Sequence, residues 1–241
     1  MQTIICKDYE EMSLRTAAMV ADIIRRTPDA LISFPGGDTP LGMVREFVRM
    51  VNEGELDISR AKFVMLDEWV GLNVADEGSC AYFLKTNLFG ALQHPFADVF
   101  QFDGKTGDVG AMLRAHDAFI TRNGGLTVSV LGIGMNGHLG FNEDGVDFSM
   151  RSHMTLLSDT TKRVMGKYFG GRDLPLTHGV TQGVAQIMEA KHVFVIANGE
   201  KKADIVARAI NGPVDNAVPA SVIQNHPNGC FVLDEGAAAK L

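Results

Sequence analysis

A chain of 241 residues, 46% hydrophobic and 21% charged, is long enough to bury a sizeable core and reads as one domain over residues 1–241. Its formal net charge of −7 offers no basic face for nucleic acid, and no apolar run reaches the length of a membrane span. Cys6, Cys80 and Cys230 are scattered and odd in number, which gives neither a disulfide framework nor a zinc site. The N-terminus shows no basic segment followed by an apolar run, so a cytoplasmic protein with free thiols is expected.

In chain order, residues 3–6 form a short apolar edge strand. Asp8 with Glu11 makes a capping-box pattern, and Ala17, Ala18, Ala21 and Ile24 continue it at helical spacing. Residues 30–34 read as a buried strand running into the turn Gly36-Gly37, with a helix expected from Pro40. Residues 62–66 are the next strand and deliver Asp67 at its end. Helix is expected over 80–92, strand over 99–102, helix over 110–121 and a strongly apolar strand over 126–131. A glycine-rich loop, 132–145, follows. Helices over 160–169 and 201–210 and strands over 192–197 and 230–233 complete the order, and residues 236–241 read as a frayed tail. Apolar strands alternating with helices predict an α/β fold: a modified Rossmann-like, mostly parallel sheet covered by helices on both faces.

Open parallel sheets bind ligands beyond the carboxyl ends of their strands. The chemically distinctive residues all fall there: Gly36, Gly37, Asp38 and Thr39 after one strand, Asp67 and Glu68 after another, the 132–143 loop after a third, and Lys202 after a fourth. Glycines let backbone approach an anion, and the helix that follows offers unpaired N–H groups. Thr39 adds a hydroxyl, while the carboxylate of Asp38 must point away from any phosphate, as a cap for the helix. Read alone, this turn fits either a phosphate cradle or a tight turn without ligand.

An acid placed directly after a buried strand is partly desolvated, which suits Asp67 to proton transfer; solvated loop acids or helix caps are the plainer reading of Asp67 and Glu68. His138 sits in the glycine-rich loop with Glu143 five residues on, close enough in sequence to fold back and orient the imidazole. Against that stands a structural histidine in a turn. Trp69 fits a sugar pocket or the core, Lys201 reads as a solvated charge, and the methionines read as core filler. His178, His192 and His226 show no metal-ligand spacing.

The blocks PGGDTPL, LDEWVGL, GIGMNGHLGFNE, residues 158–169, NGEKKA and VPAS(x)4HPN stand in an order that resembles the hexosamine-6-phosphate deaminases, over residues 29–228. The resemblance implies a cofactor-free and metal-free enzyme that converts an amino-sugar 6-phosphate and water to a ketose 6-phosphate and ammonia. By position, Asp67 matches the base that moves a proton between C2 and C1, His138 the group that opens the sugar ring, Glu143 its partner carboxylate, and Lys202 the phosphate-binding lysine. An arginine of the family is Lys167 here, which keeps the charge and loses the bidentate fork.

Asn136 stands where many glucosamine-type members carry aspartate; it can hold the histidine by a hydrogen bond and cannot stabilise an imidazolium by charge. Asn136-Gly137-His138, Trp69 and residues 175–181 resemble the galactosamine-6-phosphate branch. His153 and Thr155 stand where allosteric members carry basic residues, so a monomer or small homo-oligomer acting on a small sugar phosphate is expected, with no activator site. Two alternatives remain open. A 6-phosphogluconolactonase-like hydrolase needs the same turn and histidine, but that branch typically shows DGHTASLFP where this chain shows Asn136-Gly137-His138 and then Asn142-Glu143. A non-catalytic sugar-phosphate sensor shares the fold, but pairs it with a DNA-binding segment for which the first strand at residue 3 leaves no room.

Overall fold

Strands covered on both faces must alternate two apolar sets, and the central strands do so. The structure is a computed structural model that describes residues 1–169 and 174–241, without the side chains of residues 164, 165 and 167. Along β6 (Val128–Gly132), Val128 and Val130 enter one apolar cluster and Leu131 the other. Along β9 (His192–Ala197), Phe194 and Ile196 face the first cluster, and Val193, Val195 and Ala197 the second. The first cluster is closed by α1 (Tyr9–Arg26), α2 (Asp38–Asn52) and α3 (Cys80–Leu84). The second is closed by α4 (Val109–Arg122), α6 (Val184–Glu189) and α7 (Ala203–Asn211).

The main sheet adds β1 (Gln2–Cys6), β2 (Leu31–Ser33), β3 (Lys62–Val64), β5 (Asp98–Phe100) and β10 (Gly229–Asp234). Its seven strands run parallel in the order β1-β10-β9-β6-β2-β3-β5. From β2 the chain steps outward through β3 and β5, returns to the other side of β2 as β6, and steps outward again through β9. The switch point therefore lies between β2 and β6, where Ile32 pairs with Val128.

A second, antiparallel sheet was not legible in the sequence. It consists of β4 (Asp67–Trp69), β8 (His178–Thr181) and β7 (His153–Leu156), in the order β4-β8-β7. The expected strand over 62–66 ends at Val64, and after two intervening residues the chain joins this second sheet, so Asp67 is the first residue of a strand rather than of a loop. The Gln182 N–H donates to Leu66 O at 2.7 Å, and Asp67 pairs with Thr181.

Several boundaries differ for local reasons. Asp8 caps α1 by accepting from Glu11 N, but Glu11 reaches back to Lys7 N rather than to Asp8. The helix expected over 80–92 is α3 followed by a π-helical turn, Lys85–Phe89, ending at Gly90. The helix expected over 160–169 is α5 (Asp159–Met165), capped by Ser158, with a 3-10 turn Gly166–Phe169 after it. The one over 201–210 opens as a 3-10 turn, Glu200–Lys202, before α7.

The tail does not fray. Ala237 is buried, its N–H donates to Asp234 Oδ1 at 2.7 Å, and Gly236 packs on the backbone of Gly199. The same Asp234 carboxylate accepts from Gly199 N at 2.9 Å, so the C-terminus fixes the turn that presents Lys202.

Close backbone approach sets the loop after β4. A Cβ at Gly104 would lie 2.0 Å from Trp69 O and 2.5 Å from Leu72 O, whereas one at Gly107 would meet nothing within 4 Å. Gly104→Ala is expected to cost about 1–3 kcal/mol or more in denaturant unfolding, since backbone has to move, while Gly107→Ala is expected to be neutral.

Candidate functional site

The loops after β2, β6 and β9 meet at the switch point around a cavity of about 410 Å³. Gly36, Gly37, Asp38, Thr39, Asp67, His138 and Lys202 all line it, as do Thr161 and Tyr168. Lys201, expected in solvent, lines it as well. Asn136 and Glu143 do not line it and lie behind the histidine. Trp69 is not on the cavity: it is buried edge-on against Phe141 and Phe169. The backbone of Lys167 is in the 3-10 turn, and its side chain falls outside the described residues.

The glycine turn opens α2 directly. Gly37 has φ 114°, a conformation that a side chain disfavours, and it occupies the cap position with no side-chain bond. Asp38 is therefore the first helical residue and not the cap expected from sequence, and the helix begins two residues before Pro40. Tyr9 braces the turn from α1: its hydroxyl donates to Asp38 O at 2.9 Å and accepts from Gly42 N at 2.8 Å. Thr39 Oγ1 donates to Asn198 Oδ1 at 2.9 Å, tying the turn to the end of β9.

Asp67 and Glu68 point to different tasks. Glu68 is fully buried and accepts from Trp69 N, Cys80 N and Ala81 N at 2.8, 3.1 and 2.8 Å, which caps α3. Burial pushes its carboxyl up to about 8, against the pull of those three N–H groups. Asp67 is buried at the cavity wall. Burial raises its carboxyl to about 6, moderated by the Cys80 thiol and by the charge of His138. Gly140 comes close to it: a Cβ there would lie 3.4 Å from Asp67 Oδ2 and 2.8 Å from Thr181 Oγ1.

His138 is held from behind. Its Nδ1 lies 3.1 Å from Thr161 Oγ1 and 3.4 Å from Glu143 Oε2. With Nδ1 so engaged, Nε2 is the ring nitrogen left for chemistry. The ring lies flat against Gly134, where a Cβ would fall 2.3 Å from Nε2, so the loop needs glycine there.

Asn136 does not reach the imidazole, contrary to the sequence expectation. Its Nδ2 donates to Glu143 Oε2 at 2.7 Å and its Oδ1 accepts from the His138 backbone N–H at 3.4 Å. Burial raises the Glu143 carboxyl, but the bond and charge of His138 and the bonds from Thr161 and Asn136 outweigh it and hold the group at about 2. Glu143 is thus an anion wherever the protein is folded at ordinary pH, which suits it to orient an imidazolium.

Lys202 reaches the cavity from the β9 end, and its Nζ donates to Ile133 O at 2.5 Å. Sequence reasoning missed Thr161, Tyr168 and Asn198. The pattern Ser158-x-x-Thr161 carried a signal for the first: Ser158 Oγ caps α5 by accepting from Thr161 N at 3.1 Å, which turns Thr161 toward His138. Among the described residues, no group of three or more His, Cys, Asp or Glu is placed to hold a metal, and no helix is long and apolar enough to cross a membrane.

A family described as glucosamine-6-phosphate isomerases/6-phosphogluconolactonase matches residues 9–232. A glucosamine-6-phosphate deaminase of Clostridium perfringens is 38% identical over 241 residues, covering 100% of both chains. One from Bacillus velezensis is 34% identical over 99% of each. A solved structure of a monomeric glucosamine-6-phosphate deaminase superposes with a TM-score of 0.95 at 29% identity, over 100% of both chains. A 6-phosphogluconolactonase from Trypanosoma brucei shares the fold, with a TM-score of 0.75 at 20% identity, covering 100% of this chain and 98% of its own. On the family match and on relatives above 30% identity along the whole length, this chain belongs to the glucosamine-6-phosphate isomerase/6-phosphogluconolactonase family.

Proposed function

We propose that this chain converts an amino-sugar 6-phosphate and water to the ketose 6-phosphate and ammonia, with Asp67 as the proton-transfer base and His138 as the ring-opening group. The observation that carries the reading is the shared cavity: a carboxyl held near 6 by burial and an imidazole backed by a permanent anion line one space, with a helix N-terminus and Lys202 at its rim. The relatives of similar length are named as deaminases, which supports the same activity here.

The steps follow from the chemistry of these groups. The phosphate binds at the glycine turn, whose N–H groups and helix dipole favour an anion, and supplies binding energy remote from the reacting carbons. His138 protonates the ring oxygen and so opens the pyranose; Glu143 keeps the imidazole oriented. Asp67, as the carboxylate, takes the proton from C2 and returns it to C1, which leaves an iminium at C2; water adds there, and the resulting carbinolamine expels ammonia to give the C2 ketone. Asn136 positions Glu143 rather than the ring. The monomeric relative of equal length supports a reading in which the site is complete within one chain.

The lactonase alternative is supported by solved lactonase structures at 20% identity or below, which share the fold. Ammonia release from glucosamine and galactosamine 6-phosphates, measured beside hydrolysis of 6-phosphogluconolactone, separates the two activities and reads the C4 preference. Deamination of at least one hexosamine phosphate without lactone hydrolysis is the expected result; lactone hydrolysis alone would refute the proposal.

Further outcomes are expected of two variants and of the wild type. Asp67→Asn should abolish ammonia release while phosphate-analogue binding persists. It should also raise thermal stability at pH 8. The folded pKa of about 6 lies above the unfolded value of 3.8, so folding disfavours the charged form; that cost is full above about 6 and disappears below 3.8. The gain is at most roughly 3 kcal/mol, and differential scanning at pH 8 and pH 4 should show nearly all of it at the former and little at the latter. In wild type, kcat/KM should fall with one proton as pH drops through about 6. Glu143→Gln, which keeps the shape and removes the charge, should lower kcat by ~10²-fold or more in the ammonia-release assay.

A further inference from the structure

Tyr168 makes a contact that the mechanism above does not use. The Asp38 N–H, in the first turn of α2, donates to the Tyr168 hydroxyl at 3.3 Å. A Cβ built on Gly37 would meet the same oxygen at 3.4 Å, an ordinary van der Waals contact, so the phenol packs directly on the turn. Tyr168 also forms part of the wall between the main cavity and a neighbouring one of about 180 Å³ lined by Cys80, Tyr82 and Phe83.

The N–H groups of a helix's first turn are the ones that hold anions. In α2 Pro40 has none, which raises the value of the Asp38 N–H. At 3.3 Å its bond to the phenol is longer than the usual 2.9–3.0 Å and is weak. A phenol both accepts and donates, so the group that takes the amide proton can also act as a donor to a phosphate oxygen.

We propose that Tyr168 is a phosphate-contacting residue of this site. Its hydroxyl yields the Asp38 N–H to a phosphate oxygen and donates its own proton to that phosphate, while the neighbouring cavity gives the ring room to draw back. The inference rests on the reading of the glycine turn as the phosphate cradle. It makes the cradle a three-part clamp: backbone N–H groups of α2, the Lys202 ammonium from the β9 end, and a phenol from the 3-10 turn Gly166–Phe169.

Tyr168→Phe keeps the ring and removes the donor. Inorganic phosphate, titrated by calorimetry and used as a competitive inhibitor, should bind ~10–100-fold more weakly to the variant, the usual worth of a hydrogen bond to a charged group. KM for the amino-sugar 6-phosphate should rise in the same proportion with kcat nearly unchanged, and the melting temperature without phosphate should not move. Tyr82→Phe, which alters only the neighbouring cavity, should leave phosphate affinity at the wild-type value. Equal or tighter phosphate binding by Tyr168→Phe would overturn the assignment and mark the phenol as a plug. If the wild type releases no ammonia but Tyr168→Phe still loses phosphate affinity, the deaminase reading fails and this one stands.

Discussion

The parallel pairing of β2 with β6, Ile32 beside Val128 and Ser33 beside Ser129, is the contact on which the chemistry of this chain depends. It is the place where the connections change direction, so the turns that leave the two strands diverge and leave a crevice between them. One turn becomes the glycine-lined start of α2, and the other becomes the loop that carries His138 and Glu143. Both strands are buried on both faces by side chains from the two apolar clusters, so neither turn can shift without disturbing the core.

The second sheet does a separate task. By leaving the main sheet after Val64, the chain brings Asp67 to the crevice on a paired strand, with Thr181 opposite it and Gly140 pressed close. Paired backbone holds the carboxylate more firmly than a free loop does. The two acids at the site are then driven in opposite directions. Asp67 has little to stabilise its charge and stays near 6; Glu143 is bonded to His138, Thr161 and Asn136 and stays near 2. Carboxyls pushed apart in this way can take different roles, one exchanging protons and the other holding a fixed charge. The burial of Asp67 costs folding free energy at neutral pH, and a stability penalty kept at a reactive position is what a base in a cavity requires.

Much of this was readable from residues 30–34, 62–66, 126–131 and 192–197, because a strand buried on both faces must be apolar throughout and little else in a short run looks like it. The glycine turn and the 132–145 loop were readable for a related reason: their glycines answer to backbone geometry at Gly37 and to the flat packing of His138 on Gly134. What escaped was set by tertiary context. Residues 153–156 and 178–181 become strands only because β4 lies beside them, and Asp67 looked like a loop residue because the chain changes sheets within two residues. The tail looked free because Gly236 and the alanines after it advertise no packing, whereas Asp234 anchors them from within the last strand. Lys201 and Tyr168 reach the cavity through turns whose direction no local pattern encodes.

The proposed chemistry requires one carboxylate, Asp67, to move a single proton on one face of the opened sugar. Incubating the ketose 6-phosphate and ammonium with the protein in D₂O and following C1 by proton NMR reads that step without the rest of the turnover. The account predicts that one of the two C1 hydrogens exchanges, always the same one, and that Asp67→Asn removes the exchange. Exchange of both hydrogens, or exchange that persists in Asp67→Asn, would contradict it.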